Sequence, residues 1–325
     1  MESQTKNAQT RSQIEAMAAR AFSGLELSPD EAAVRELKDG WFNAAYLVQL
    51  ADGREVVLKI APSPGSDVMQ YERHIMSTEV WAMRLVRQNP AIPVPEILFY
   101  DQTRELCDSD YFFMERVVGD NLEHVKASLP ADTQATIGQQ IGGIIREING
   151  FSGAFFGYPG NADLRADTWR DAFLKMIDAI LADAACKGMV FDFGEDELRT
   201  TILRHAPALE EVTTPCLVHW DAWNPNFFVR EGRIVGIIDF ERALWAEPLM
   251  EAQFRPLFET GVTHALQGYG KTTFTFPEQQ RCHLYSLHLG LTMQTECAYR
   301  NYATDDILQL SRQFIRTTMA WLKSH

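Results

Sequence analysis

The sequence predicts an α+β protein of two lobes, and three observations carry that reading. Its 325 residues exceed what one core usually serves and fit two units of roughly 100–200 residues. The side-chain pattern changes once along the chain, from the alternation of strands to the periodicity of helices. One hairpin-like island at 216–241 then interrupts the helices, which suits an α+β fold better than alternating strands and helices.

The first lobe is assigned to residues 1–115, with residues 1–11 expected to be disordered. SQIEAMAARAF at 12–22 has the spacing of a short amphipathic helix. A strand at 34–38 precedes AAYLVQL at 44–50 and REVVLKI at 54–60, which Ala51-Asp52-Gly53 joins as a hairpin turn. Pro62-Ser63-Pro64-Gly65 ends that strand, and a long helix follows over 69–88, stopping before Asn89-Pro90. Pro93 and Pro95 lead into the extended EILFY, and YFFMERVV at 111–118 is the next strand. The lobes meet near 114–120. The second lobe, 116–325, is mainly helical, with helices over 132–149, 167–187, 195–204, 248–268, 278–300 and 304–323.

Composition removes several function classes. Apolar residues form 46% and charged residues 23% of the chain, with a formal net charge of −14. Duplex DNA requires a basic face to neutralise phosphates, and the sequence offers none, so no nucleic-acid partner is expected. The sequence has no run of 18 apolar residues, so no membrane helix is expected. The polar first eleven residues lack a leader's apolar core. Five scattered cysteines without a CxxC pair fit reduced thiols, a cytoplasmic location and neither disulfides nor zinc. A monomer or homodimer is expected.

The chemistry concentrates in the island. Phe227–Arg230 and Arg233–Ile238 flank Glu231-Gly232, the spacing of a two-residue hairpin loop. With 230 facing 233, residue 226 lies opposite about 237 and 239 opposite about 224. Asn226 and Asp239 then share the open end, where a carboxylate and an amide oxygen suit a hard cation such as Mg²⁺. Asp221 is left over beside that metal as a general base for an alcohol. Asp and Asn also terminate strands as caps, and the residues alone leave that structural origin open.

His219-Trp220-Asp221-Ala222-Trp223-Asn224-Pro225-Asn226 fits the pattern H-x-D-x-x-x-x-N, and Ile238-Asp239-Phe240-Glu241 follows thirteen residues after Asn226. This resembles the aminoglycoside phosphotransferase and choline kinase group, small-molecule relatives of the protein kinases, whose equivalents are the H-R-D loop and D-F-G. The resemblance implies a protein-kinase-like fold with a small β-rich first lobe and a larger helical second one. It also implies transfer of a phosphoryl group from ATP (or GTP) to a hydroxyl. By that resemblance Asp221 is catalytic, Asn226 and Asp239 hold Mg²⁺, and His219 is structural, its ring bonded to backbone near Asp239.

Three further kinase parts can be sought in the first lobe. Asp39-Gly40-Trp41-Phe42-Asn43 stands where a loop would cover the phosphates, with Gly40 and Asn43 as the candidate contacts; by itself it reads as an ordinary turn. Lys59 breaks an apolar strand face, where an ammonium needs an anionic partner. Glu79 shares a narrow helical stripe with Ile75, Met83 and Val86, costly unless paired, with Glu72 as the reserve candidate. The resemblance places the adenine-binding segment at Met114–Val117, with Glu115 and Val117 acting through backbone groups. Two departures stand out. Trp220 and Trp223 replace smaller or polar residues, and Glu241 stands where protein kinases have glycine. No A-P-E segment follows, which disfavours a protein substrate.

The acceptor candidates are Asp167, Trp169, Asp171, Trp220, Trp223, Glu247, Glu251, Tyr285, Glu296 and Tyr299, with Trp223, Glu247, Glu296 and Tyr299 preferred. Acids interleaved with aromatics suit a cationic small molecule, an aminoglycoside-like amino sugar first, with antibiotic resistance as the corollary. Half or more are expected to be surface acids and core aromatics. Other acceptors weighed are choline, ethanolamine, amino alcohols and macrolides. A nucleotide-binding pseudokinase and a carboxylate-based hydrolase are the rivals from other classes.

Overall fold

A computed structural model describes residues 6–38, 42–255, 261–300, 302 and 304–325. A five-stranded antiparallel sheet follows the first helix, formed by β1 (Val34–Glu36), β2 (Ala44–Gln49), β3 (Glu55–Ile60), β4 (Ile97–Asp101) and β5 (Tyr111–Glu115) in the order β1-β2-β3-β5-β4. Alternation gives each strand two faces. Val56, Leu58, Ile60 and Phe113 pack with Ile14 and Met17 of α1 (Arg11–Ala21). Val57, Phe112 and Met114 face the other way, toward Val80 and Met83 of α2 (Ile75–Val86).

Three findings differ from the sequence expectation here. Residues 6–10 are not loose: Asn7 donates to Asp108 at 2.8 Å and the Gln9 N–H to the Tyr46 hydroxyl at 3.0 Å; residues 1–5 lie outside the described residues. The helix expected over 69–88 begins only at Ile75. His74 adopts a left-handed conformation, φ 57°, and Glu72 is drawn aside to accept from the Met69 N–H and from Arg300. The strand expected to reach 118 stops at Glu115, and the chain re-pairs as β6 (Asp120–Asn121) in a second sheet.

That second sheet, β11-β10-β6, contains β10 (Phe227–Arg230) and β11 (Arg233–Ile237). Their loop, Glu231-Gly232, has φ of 52° and 74°, the paired positive φ of a tight hairpin turn that glycine adopts freely. A bulge between Phe228 and Val229 shifts the register, so Phe227 faces Ile237 and Asn226 faces Ile238, one place from the expected alignment. A third sheet holds β7 (Phe156–Gly157), β8 (Arg165–Ala166), β9 (Cys216–Val218) and β12 (Leu244–Ala246).

The helices α3 (Leu122–Val125), α4 (Ala131–Asn149), α5 (Trp169–Cys186), α6 (Glu195–His205), α7 (His264–Tyr269), α8 (Phe276–Arg300) and α9 (Asp306–Ser324) make up most of the remainder. Their core is centred on Trp169, Phe173, Tyr285 and Leu291. Where α4 meets α7, a Cβ on Gly142 would lie 1.9 Å from the Ala265 carbonyl oxygen, so the approach requires glycine. The helix expected over 248–268 is broken: Pro248–Met250 and Ala252–Phe254 are single tight turns around an extended Glu251, and the next helix among the described residues begins at His264. The extended Glu251 backbone interrupts the helical ladder and places its side chain against the His219 and Trp220 N–H groups. No helix among the described residues is long and apolar enough to cross a membrane.

Candidate active site

Strand β3 delivers Lys59 to the face away from Leu58 and Ile60. Its ammonium donates to Glu79 Oε1 and Oε2 at 2.7 and 2.8 Å and to Asp239 Oδ1 at 2.8 Å. Glu79 stands on the stripe of α2 formed by Ile75, Met83 and Val86, all buried. Glu72, the reserve candidate, pairs instead with Arg300. Asp239 follows β11 in a left-handed conformation, φ 70°, which turns the chain into the tight turn Phe240–Arg242 and brings Glu241 under the first sheet. Asn43 Nδ2 then donates to Glu241 Oε2 at 2.8 Å, tying the phosphate-loop candidate to this turn. Gly40 lies outside the described residues.

Three carboxylates, Glu79, Asp239 and Glu241, thus surround one ammonium, with an oxygen from each lying within 4.8 Å of the others. Burial works against the charge on Lys59, but Asp239 and Glu79 outweigh it and hold the ammonium protonated. Burial and the adjacent Asp239 push Glu241 well above the usual carboxylate range. Asp239 is half-buried, yet Lys59 and His219 keep it below its ordinary value. The excess of acid over base is the donor set that a hard divalent cation fits.

The H-x-D loop is held from behind. His219 Nε2 lies 3.0 Å from the Ile238 carbonyl, the backbone contact expected next to Asp239. Glu251, fully buried, accepts the His219 and Trp220 N–H groups at 2.8 and 3.0 Å and Asn149 Nδ2 at 3.1 Å. Trp220, φ 67°, is left-handed and non-glycine, a strained position that these bonds stabilise. Its indole is sunk into the core, and Asp221 emerges on the open side. Asn226 donates Nδ2 to the Asp221 carbonyl at 2.8 Å, which commits the amide nitrogen and leaves its oxygen for a cation.

Asp221, Asn226, Asp239, Glu241 and Lys59 line one cleft of about 1740 Å³ with Met114, Val117 and Trp223. This exceeds the usual size of a site for one small ligand, roughly 300–1,000 Å³. Val117 is in the wall of this cleft. The Glu115 side chain turns away to accept the Glu96 N–H at 2.9 Å.

The acceptor candidates divide. Trp223, 48% exposed, and Glu296 line the cleft. Glu247 does not: it is buried against Arg281 Nε, 3.0 Å away, and the Tyr285 hydroxyl. Tyr299 bonds the Asp183 carbonyl at 3.2 Å, outside the cleft lining. Trp169 donates to Tyr285 at 2.7 Å in the core, Asp171 accepts from Thr168 at the start of α5, Asp167 is exposed, and Glu251 supports the loop. Sequence reading missed Arg242, Arg255 and Arg300, all lining the cleft. One signal was present. His288, Thr292, Glu296 and Arg300, spaced four apart on α8, form a polar stripe, and all are buried.

A family model described as the phosphotransferase enzyme family matches residues 33–253. Among solved structures, a thermostable mutant of aminoglycoside phosphotransferase APH(4)-Ia, in complex with ADP and hygromycin B, superposes with a TM-score of 0.67. It is 17% identical, covering 95% of this chain and 98% of that one. The streptomycin–ATP–APH(2″)-IIa ternary complex gives 0.62 at 15% identity, over 97% and 99% of the two chains. A subtelomeric hrmA-associated cluster protein of Aspergillus fumigatus is 33% identical over 119 residues, 36% of this chain but only 23% of that protein. The match thus spans about a quarter of that curated relative.

Proposed function

This chain belongs to the phosphotransferase enzyme family, a small-molecule kinase of protein-kinase-like fold, and from that premise we propose the following reaction. The γ-phosphoryl group of a nucleoside triphosphate moves to a hydroxyl of a small molecule. The bond from the γ-phosphorus to the bridging oxygen breaks, a bond to the acceptor oxygen forms, and the products are a nucleoside diphosphate and a phosphate ester. One observation carries the reading: Lys59 from the first lobe, held by Glu79, lines the same cleft as Asp239 and Asp221 from the second.

Phosphoryl transfer passes through a loose transition state, so positioning and charge neutralisation do most of the catalysis. Asp221 orients the acceptor hydroxyl and takes its proton. Lys59, fixed by Glu79, holds the donor phosphates. Glu115 and Val117 offer backbone groups to the adenine. Asn226 and Asp239 would hold Mg²⁺, which when bound neutralises the phosphate oxygens. Asn43, bonded to Glu241, would contact the donor phosphates. The aminoglycosides bound in the structural neighbours support a hydroxylated small molecule as acceptor.

The test is acceptor-dependent release of ADP from Mg²⁺–ATP, using fractionated pools of hydroxylated small molecules and the Asp221→Asn variant as control. Transfer above that control is the expected outcome. Tight Mg²⁺–ATP binding with no fraction supporting transfer above the control would sink the proposal.

A further inference from the structure

Arg242, Arg255 and Arg300 bring guanidinium groups to the lining of the cleft. Arg242 and Arg300 are answered by acids. Arg242 Nη2 lies 2.9 Å from Glu296 Oε1, and Arg300 Nη1 lies 3.4 Å from Glu296 Oε2 while also pairing with Glu72. The Tyr71 hydroxyl completes the group by donating to Glu296. Two carboxylates therefore balance two guanidiniums.

Arg255 stands apart. It lines the same cleft and is only 7% exposed. Its Nη2 donates to the Trp220 carbonyl, and its guanidinium carbon lies 5.0 Å from the centre of the Trp220 ring. Among the described residues it has no ion-pair partner, and its buried Nε–H has no acceptor. Asp221 and Glu251 reach it only through their fields. Glu251 is already taken by three N–H donors, and Asp221 is the proposed base. Burial lowers this guanidinium to about 10, so it remains charged at neutral pH.

A buried charge is normally paired, and a buried donor is normally bonded, because each unmet group costs free energy. Arg255 meets neither condition by itself. Its fork of donors matches a carboxylate or phosphate. Its location adds a second point. The carbonyl it grips belongs to Trp220, the residue before Asp221, so an anion held here sits at a set distance from the base. The acids expected to recruit a cation are spent elsewhere: Glu247 on Arg281, Glu296 on Arg242 and Arg300, Glu251 on the loop backbone.

Resting on the kinase reading above, we propose that the acceptor carries an anionic group, carboxylate or phosphate, received by the Arg255 guanidinium while its hydroxyl lies against Asp221. The acceptor is a hydroxylated acid, and Arg255 determines specificity for it.

The test uses the full chain loaded with Mg²⁺ and a non-hydrolysable ATP analogue, so that Lys59 is occupied. Calorimetry at constant ionic strength then measures inorganic phosphate, glycolate and the neutral glycolamide. Saturable binding of at least one anion is expected, with glycolamide at least about tenfold weaker, a difference of about 1.4 kcal/mol. Arg255→Gln should abolish the preference. Phosphate alone binding identifies a phosphate-ester acceptor, and glycolate alone a carboxylic one. If Arg255→Gln does not fold, the ¹⁵N signal of the Arg255 Nε–H in the wild type serves instead, assigned with Arg255→Lys, and should shift on adding the anion. Absence of saturable anion binding, equal binding to Arg255→Gln, or an unmoved Nε–H signal overturns the inference. Binding is read without turnover, so a failed kinase reading and a failed anion site give distinguishable results.

Discussion

Replacing Lys59 by alanine should cost the fold about 4 kcal/mol, most of it through the residue left behind. Glu79 is fully buried, and both its oxygens accept from the Lys59 ammonium. Without the lysine it becomes an uncompensated buried carboxylate, a defect of about 3–5 kcal/mol. Glu79→Ala is milder, because Lys59 keeps Asp239 at 2.8 Å. Losing two charge-assisted bonds puts its cost at about 2–3 kcal/mol. The double variant strands neither charge and should lose only about 3–4 kcal/mol, a coupling of about 3 kcal/mol. Urea titrations of the four proteins measure this.

The same experiment has a pH arm. Burial pushes Glu79 up to about 7, against the pull of Lys59, from an ordinary value of 4.5. A carboxyl raised in the fold binds more protons folded than unfolded between those values. Its contribution is therefore complete below 4.5 and is lost as the pH rises through 7. Lys59→Ala removes the opposing pull, so its deficit should be larger at about pH 8 than at about pH 5. Additivity within about 0.5 kcal/mol, or a deficit that ignores pH, would refute the pairing.

Asp239→Ala should abolish Mg²⁺-dependent nucleotide binding, since Asn226 alone is neutral; unchanged Mg²⁺–ATP affinity by calorimetry counts against the metal assignment. Asp221→Asn should lower kcat by about 10²–10⁴-fold while leaving nucleotide and acceptor binding nearly intact, because its proton role belongs to the transition state. A matched rise in KM with unchanged kcat would make it a binding residue instead. Glu247→Ala should lose about 1.5–3 kcal/mol of stability by removing a charge-assisted acceptor of buried Arg281, which keeps Glu211, with no change in acceptor KM; a KM effect without a stability loss returns it to the acceptor site. Gly142→Ala should lower the urea midpoint by the equivalent of about 3 kcal/mol, as α4 and α7 are forced apart. An unchanged midpoint would mean that the helices do not meet as described.

The sequence by itself determined the parts whose physics is local or contradictory. His219, Asp221 and Asn226 lie within eight consecutive residues, and Asp239 follows on the return strand of the same hairpin, so a spacing could place them together. Lys59 and Glu79 were legible because each puts a charge on an otherwise apolar face, a conflict that only a partner resolves. The α+β order was legible for the same reason, since periodicity is written locally.

Tertiary structure decided the rest. The bulge after Phe228 moved the hairpin register by one place, and no residue type announces a bulge of this kind. Glu247 and Tyr299 looked identical in sequence to acceptor residues, yet their partners, Arg281 and the Asp183 carbonyl, lie 34 and 116 residues away. Glu72 meets Arg300 across 228 residues. Whether an acid is a free ligand or a spent one depends on which base the fold carries to it. Arg255 is the converse case. A lone arginine in sequence reads as surface charge, and only the packing of Trp220 beneath it and the lack of an ion-paired carboxylate among the described residues make it a buried cation facing the cleft.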